Sequence, residues 1–499
     1  MEHYGVKGTG ALAGGSKGGQ ERPGATKKWS RPLLAQTTLV SVDLFIAIVI
    51  QLTVMIVLYI DNFRGFKRTY IPLKEVNFLV GENSTGKTSI LSLFDIILSC
   101  HILWHTDAFN KDTVKLGSYA EITDPKTKHF TIGILTTSDR NEPKGLNAIV
   151  MKFIQRGGVP IPEEFIIASY NIFLRVKITS EAILFKSLVD KLKEGLIVKS
   201  PLEFLNLIVS EIKFKTDEYN KANDYKKVNL TLVIDSILDF IIKEPFFDKK
   251  ANDEINTIRF ALSKTIRWMA PIRIEPKKVY SGLTGRLEFH PDGRHTPYFF
   301  KIFLHGRKGS FQSEFTDFIK EFLEESKLCD KITVKEYGND ETSPFEIHVS
   351  IEDKPYRISN VGYGVSQVLP IITALFETVN NVANRSDEIW YLIQQPEIHL
   401  HPKAQSALGE FIFAVNQKYG INFMIETHSD YIIDRFRINQ NKHGKKNKKS
   451  SAQVLFFERT SKGNKVYPID IDGNGNYSGD QPKSFREFFI EEELKLLEM

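Results

Sequence analysis

The stretch Gly81-Glu82-Asn83-Ser84-Thr85-Gly86-Lys87-Thr88 decides the fold of this chain. It follows the apolar run from Val76 to Val80, which reads as a buried strand. It precedes Ser89-Ile-Leu-Ser-Leu-Phe-Asp-Ile-Ile, which reads as an amphipathic helix. Strand, glycine-bracketed loop, Lys-Thr and helix, in that order, make a phosphate cradle. Gly81 and Gly86 let the backbone wrap an anion so that its N–H groups point inward, at a helix N-terminus whose dipole favours negative charge. Lys87 is placed to reach the β- and γ-phosphates and the Thr88 hydroxyl to ligate Mg²⁺. Glu82, Asn83, Ser84, Thr85 and Ser89 complete the expected nucleotide-binding set, with ATP and Mg²⁺ as cofactors.

Three downstream segments carry further site chemistry. Asn360-Val361-Gly362-Tyr363-Gly364-Val365-Ser366-Gln367 is a glycine-permitted turn running into a helix, with Ser366 and Gln367 expected at its tip. Ile389-Trp-Tyr-Leu-Ile-Gln394-Gln395-Pro396-Glu397-Ile-His399-Leu-His401-Pro402 reads as a buried strand ending in polar residues. Asn422-Phe-Met-Ile-Glu426-Thr427-His428-Ser429-Asp430 is a second such strand.

Together with the cradle, these segments resemble the signature, Walker B and H-loop motifs of the RecF-like and overcoming-lysogenization-defect ABC-type ATPases. The resemblance runs from Met55 to the C-terminus and is weak in the middle. It implies an α/β fold, an ABC-type P-loop head with a mixed sheet flanked by helices and an inserted helical domain. It also implies that Gly364, Ser366 and Gln367 contact the γ-phosphate held by a second subunit, so that ATP glues a homodimer, and that His428 serves the γ-phosphate region. Heads of this kind without a nuclease domain are ATPase components of bacterial antiviral systems, paired with a separate nuclease or toxin as effector. A DNA-repair ATPase on duplex DNA and a non-hydrolysing scaffold are the alternatives, and a cytoplasmic location is expected throughout.

The chain departs from that family at one place. Gln394 and Gln395 stand where the family carries acids that hold Mg²⁺ and activate water. A glutamine keeps the shape and an amide but has no charge and is no general base. Gln394, Gln395, Glu397 and His428 are therefore the candidate catalytic residues, with Gln394 beside Thr88 at the metal. ATP binding is expected to survive and hydrolysis to be slowed. A natural binding-only head or an engineered trap for the ATP-bound dimer is favoured over rescue by Glu397 or Glu426.

The rest of the 499 residues bounds the picture. A 42% hydrophobic and 25% charged composition is ordinary for a core-forming protein, and the net charge of +5 argues neither for nor against nucleic acid. Two distant cysteines, Cys100 and Cys329, exclude a disulfide framework and read as buried thiols. Residues 1–54 begin Gly- and Lys-rich and continue in an apolar run from Leu39. Since the same backbone cannot be both a lipid-embedded helix and a sheet strand, Met55 is the expected true start and 1–54 a non-native extension. A membrane anchor and a genuine extra element are the other readings.

Beyond it, 55–178 and 269–465 are expected to form the two parts of the head, 179–268 a compact helical insertion and 466–499 a C-terminal extension. His399-x-His401 is a poor metal pair for want of a third ligand. Asp470-Ile-Asp472-Gly-Asn474-Gly475 echoes a calcium loop but lacks the glutamate at its twelfth position, so a Gly-rich turn is expected. The basic run Lys442–Lys449 reads as a solvated loop, with phosphate-backbone contact as the alternative.

Overall fold

The computed structural model describes residues 55–488 except 106, 112–113, 138–144, 180–182, 190–200, 212–219, 222–232, 244–246, 248, 283–287, 306–308, 341, 383–387, 444–450 and 479–480. The readings of 1–54, and of residues 444–449 in the basic run, lie outside the described residues.

Period-2 alternation builds the first sheet. In β1 (Met55–Asp61), Ile56, Leu58 and Ile60 face one hydrophobic core while Val57 and Tyr59 face another. This strand lies between β2 (Thr69–Leu73) and β4 (His129–Thr137). The sheet then runs outward through β5 (Leu146–Arg156), β6 (Val159–Ser169), β7 (Ile172–Ile178), β8 (Ile183–Val189) and β9 (Asn220–Lys221), antiparallel throughout.

The second sheet is made of near-continuous apolar runs, as expected for parallel strands covered on both faces. Its order is β10 (Thr265–Met269), β14 (Ile389–Gln394), β15 (Asn422–Glu426), β3 (Val76–Gly81), β16 (Ala452–Thr460) and β17 (Gly463–Ile471). The first five are parallel and β17 closes the edge antiparallel to β16. A third, small antiparallel sheet holds β11 (Lys331–Glu336), β12 (Phe345–Ile351) and β13 (Lys354–Arg357).

Helix α1 (Lys87–Leu98) lies between the two large sheets. Ile90, Leu91, Leu93, Phe94, Ile96, Ile97 and Leu98 share one core with Ile56, Leu58 and Ile134 of the first sheet and Trp390, Leu392 and Met424 of the second. Each such side chain contributes about 1.5–3 kcal/mol on burial, so the helix and the loop that starts it are firmly seated. The opposite face of the parallel sheet is covered by α5 (Thr296–His305), α6 (Gly309–Ser326), α7 (Tyr363–Val382), α8 (Pro402–Tyr419) and α9 (Asp430–His443).

Three sequence expectations are corrected here. The described residues of 179–268 are not all helical and pack into the cores of the first sheet. Ile183–Val189 is strand β8, whose clustered apolar residues can pass for one face of a helix. Of the helices that do form, α2 (Pro201–Glu211) packs Phe204, Leu205 and Ile208 on the outer face of the first sheet. Helices α3 (Ile234–Ile241) and α4 (Lys249–Leu262) complete its inner core through Ile237, Leu238, Ile255 and Ile258. The chain from residue 52 onward clusters as one compact unit. Second, a boundary at 268/269 cuts β10, and third, one at 465/466 cuts β17, so both are internal to the parallel sheet.

The remaining minor features have ordinary accounts. Cys100 and Cys329 are buried free thiols, pushed by burial up to about 11 and about 12. In the Asp-Gly-Asn run, the Asp472 carboxylate accepts the backbone N–H groups of Asn474 and Asn476, each at 2.8 Å, and so closes a turn. Among the described residues no group of three or more His, Cys, Asp or Glu side chains could hold a metal, and no helix is long and apolar enough to cross a membrane.

Candidate nucleotide site

In an open parallel sheet, ligands bind beyond the carboxyl ends of the strands. Four adjacent strands here deliver residues to that edge: β3 the phosphate-binding loop, β15 Glu426 and His428, β14 Gln394 to Glu397, and β10 Arg273.

The loop's glycines are required by close backbone approach. A Cβ on Gly81, at φ +142°, would stand 2.1 Å from the Phe457 carbonyl oxygen of β16. A Cβ on Gly86, at φ +96°, would stand 2.5 Å from the Phe66 ring. Gly86 caps α1 without any side-chain hydrogen bond, so the first N–H groups of the helix remain available to an anion. Lys87 is buried, and its Nζ donates to the carbonyl oxygens of Gly81 at 2.7 Å and Glu82 at 2.8 Å. Burial lowers the Lys87 pKa, against an upward pull from Glu426 and Glu82. Thr85 Oγ1 donates to the Glu82 carbonyl at 2.8 Å, while Asn83 and Ser84 are open to solvent. Ser89 is buried and its hydroxyl accepts from Arg64 Nη1 at 3.1 Å. Arg64 comes from the turn after β1, and the sequence reading gave it no role.

At the position expected for the metal, the structure brings in a residue from the neighbouring strand. Gln394 and Glu426 are paired across the parallel β14–β15 ladder, so both side chains emerge at the same level of the same edge. The Thr88 hydroxyl donates to the Glu426 carboxylate, at 3.0 Å from Oε1 and 2.9 Å from Oε2. Gln394 Nε2 donates to Glu426 Oε2 at 3.1 Å. Gln394, read from the sequence as the group beside the metal, thus hydrogen-bonds the acid that approaches Thr88. A threonine hydroxyl and one carboxylate form an oxygen-only donor set that fits Mg²⁺, which takes one or two carboxylates together with the substrate's phosphates. The open N-terminus of α1 and the glycine cradle fit the phosphates.

Next to this pair, Glu397 holds the H-loop. Its Oε2 accepts from Thr427 Oγ1 and its Oε1 from the His428 backbone N–H, both at 2.8 Å. Both of its oxygens are therefore engaged in positioning the loop. The His428 imidazole reaches solvent at the mouth of the site, and the protein around it, with the nearby Lys87 ammonium, lowers its pKa while Glu397 and Glu426 pull it upward. Gln395 takes a left-handed conformation at φ +41° and donates its backbone N–H to the Glu426 carbonyl at 2.7 Å, which turns the chain into the Pro-Glu segment. His401 accepts from the Lys403 N–H at 3.3 Å as the N-cap of α8, and His399 lies against Tyr363 with ring centroids 5.6 Å apart. Both histidines are exposed, His401 as a helix cap and His399 against the Tyr363 ring.

The signature segment differs from its expected exposure. Gly364, Ser366 and Gln367 are all buried, and the Ser366 hydroxyl donates to the Tyr363 carbonyl at 2.8 Å. The reason is Gly364, where a Cβ would lie 2.8 Å from the His399 carbonyl oxygen. The first turn of α7 thus sits directly on the Walker B loop. The residues that face outward are Asn360, Gly362 and Tyr363, the last with its hydroxyl on Glu275.

Residues 55–433 match the AAA ATPase domain family, which is most of the chain. The chain belongs to that family. Among solved structures, it is similar to the SMC head domain from Thermotoga maritima at 10% identity, TM-score 0.35, over 83% of this chain and 98% of that one. The Smc head domain of Pyrococcus furiosus bound to the C-terminal domain of ScpA gives 11%, 0.36, 88% and 98%. A further Smc head bound to the C-winged helix domain of ScpA gives 12%, 0.36, 83% and 97%. No curated protein matches. The protein is an AAA ATPase domain protein with a mixed α/β P-loop fold.

Proposed function

We propose that this AAA ATPase domain protein is a Mg²⁺- and ATP-dependent switch of the ABC type, in which two copies enclose nucleotide between the phosphate loop of one and the α7 face of the other. The observation that carries this reading is the convergence of Thr88 and Glu426 beneath an uncapped helix N-terminus. The acid missing from β14 is replaced by one on β15, so the site keeps a carboxylate for the metal although Gln394 has none. Thr88 and Glu426 would hold Mg²⁺, which would supply positive charge against the phosphates. Lys87, now on two loop carbonyls, and the first N–H groups of α1 would bind the phosphates, while Glu397 fixes the backbone that carries His428.

Neither Gln394 nor Gln395 can take a proton, and Glu397 is occupied by the H-loop. This favours slow turnover, in which ATP occupancy rather than a rapid cycle sets the state of the switch. The exposed Asn360, Gly362 and Tyr363 at the start of α7 are the contact to the second copy's nucleotide. Motifs resembling RecF-like and overcoming-lysogenization-defect heads support a role as the ATPase component of an antiviral defence system that controls a separate effector. The non-hydrolysing scaffold remains the second reading, favoured by the same pair of glutamines.

Light scattering on the full chain with and without Mg²⁺-ATP tests the proposal. A shift from monomer to dimer that Lys87→Ala abolishes is the expected result. An unchanged mass at saturating ATP would overturn the dimeric switch.

A further inference from the structure

Resting on that reading of the site, we propose that Arg273 is a ligand for the terminal phosphate and gives the site its preference for a nucleoside triphosphate over a diphosphate. Arg273 lies in the Ala270-Pro271-Ile272-Arg273 segment just after β10, beside β14 and at the same carboxyl edge as the phosphate loop. It is 3% exposed, whereas its chain neighbours Ile272 and Ile274 both face outward. The loop therefore puts two apolar side chains in water and a cation in the protein, the reverse of the usual partition.

The cation is poorly compensated where it lies. Nη2 donates to the Gln394 carbonyl oxygen at a long 3.3 Å, while Nε and Nη1 are buried with no partner among the described residues. Glu397 is near enough to raise its pKa, but both oxygens of that carboxylate already serve Thr427 and His428. Burial brings the guanidinium down to about 10, so it stays charged at neutral pH. A buried charge with two idle donors is costly, and such groups persist where a ligand completes them. Arg273 stands against the Gln394 carbonyl at the end of β14 and near Glu397, on the carboxyl edge it shares with the phosphate loop, with β14 and β15 between β10 and β3. An anion there is the outermost phosphate of a chain whose inner phosphates lie in the loop. A guanidinium fork suits a phosphate's paired oxygens.

The test is equilibrium binding of ATP and of ADP, each with Mg²⁺, to the full chain and to Arg273→Met and Arg273→Lys, with Lys87→Ala alongside. Loss of charge-assisted hydrogen bonds to one phosphate predicts that Arg273→Met weakens ATP about ten- to a hundredfold. ADP affinity should stay within about twofold, because the diphosphate never reaches the residue. Arg273→Lys, which keeps the charge but not the fork, should fall between and carries the test if the methionine variant does not fold. ATP and ADP weakening in parallel, or neither changing, would overturn the inference while leaving the site intact. A parent that binds ATP no better than Lys87→Ala would overturn the site reading and this inference with it.

Discussion

Placing a glutamate at position 394 should create a carboxylate pair rather than simply restore an acid. Gln394 and Glu426 are both buried, and the Gln394 amide now donates to Glu426 Oε2 at 3.1 Å. In Gln394→Glu that donor becomes an acceptor, so the two oxygens can approach only if a proton or a cation sits between them. Two unit charges about 4 Å apart at an effective dielectric of about 20 repel by about 4 kcal/mol. Rather than bear all of this, the pair takes up a proton, and one carboxyl pKa rises well above its ordinary value of about 4.3. Native protein then holds more protons than unfolded chain between that value and the raised one, so stability falls as pH rises through this window. Urea unfolding at pH 8 should show Gln394→Glu roughly 2–4 kcal/mol less stable than the parent, with the gap narrowing toward pH 5. Added Mg²⁺ should close it at pH 8 by binding the folded pair alone. A variant as stable as the parent at both pH values, and indifferent to Mg²⁺, would refute the contact between β14 and β15 on which the reasoning depends.

Other perturbations separate packing from chemistry. Gly364→Ala forces a Cβ to 2.8 Å from the His399 carbonyl and should cost about 1–3 kcal/mol, read as a lowered unfolding midpoint. Gly362→Ala meets nothing within 4 Å and should stay within about 1 kcal/mol of the parent, so equal effects at the two positions would contradict the seating of α7 on the Walker B loop. Buried His295 has its pKa lowered to about 4, chiefly by desolvation, and its Nδ1 accepts the His290 N–H at 3.0 Å. The unfolded chain therefore binds a proton there that the native protein refuses, and stability present above pH 6.5 should fall by roughly 3 kcal/mol as pH drops to 4. His295→Asn should flatten that part of the pH profile, and an unchanged slope would place the acid sensitivity elsewhere.

Much of this arrangement is visible in the sequence because it is local. The phosphate loop is eight consecutive residues between a strand and a helix, and the strands that carry Gln394 and Glu426 are apolar runs ending in polar residues. What joins them is not local. Nothing in the chain states that Gln394 and Glu426 are laddered partners, so the sequence offers Glu426 only as the less favoured substitute for the absent acid. Arg273 escapes for a related reason: composition predicts an exposed arginine, and only the position of β10 beside β14 makes a buried one intelligible. Strand β8 reads as helix because Ile183, Leu184, Phe185, Leu188 and Val189 cluster rather than alternate, and seven residues carry too few periods to tell 2.0 from 3.6. Ser366 and Gln367 read as an exposed tip because Gly364 reads as a turn residue, whereas it lets α7 approach the His399 carbonyl and buries them. Arg64 lies in a recognisable turn, but its reach to Ser89 depends on the sheet that brings β1 beside α1.

The central claim, that Glu426 holds the metal for a nucleotide seated on Thr88 and Lys87, is tested most directly by how far Mg²⁺ strengthens ATP binding in three proteins. These are the parent, Glu426→Gln, and the exchange Gln394→Glu with Glu426→Gln. The account predicts that Glu426→Gln loses at least about tenfold of the Mg²⁺ enhancement, with Mg²⁺-free affinity little altered. The exchange should recover most of that loss, since the carboxylate returns to the same edge one strand over. A Glu426→Gln protein whose Mg²⁺ enhancement equals the parent's would contradict it.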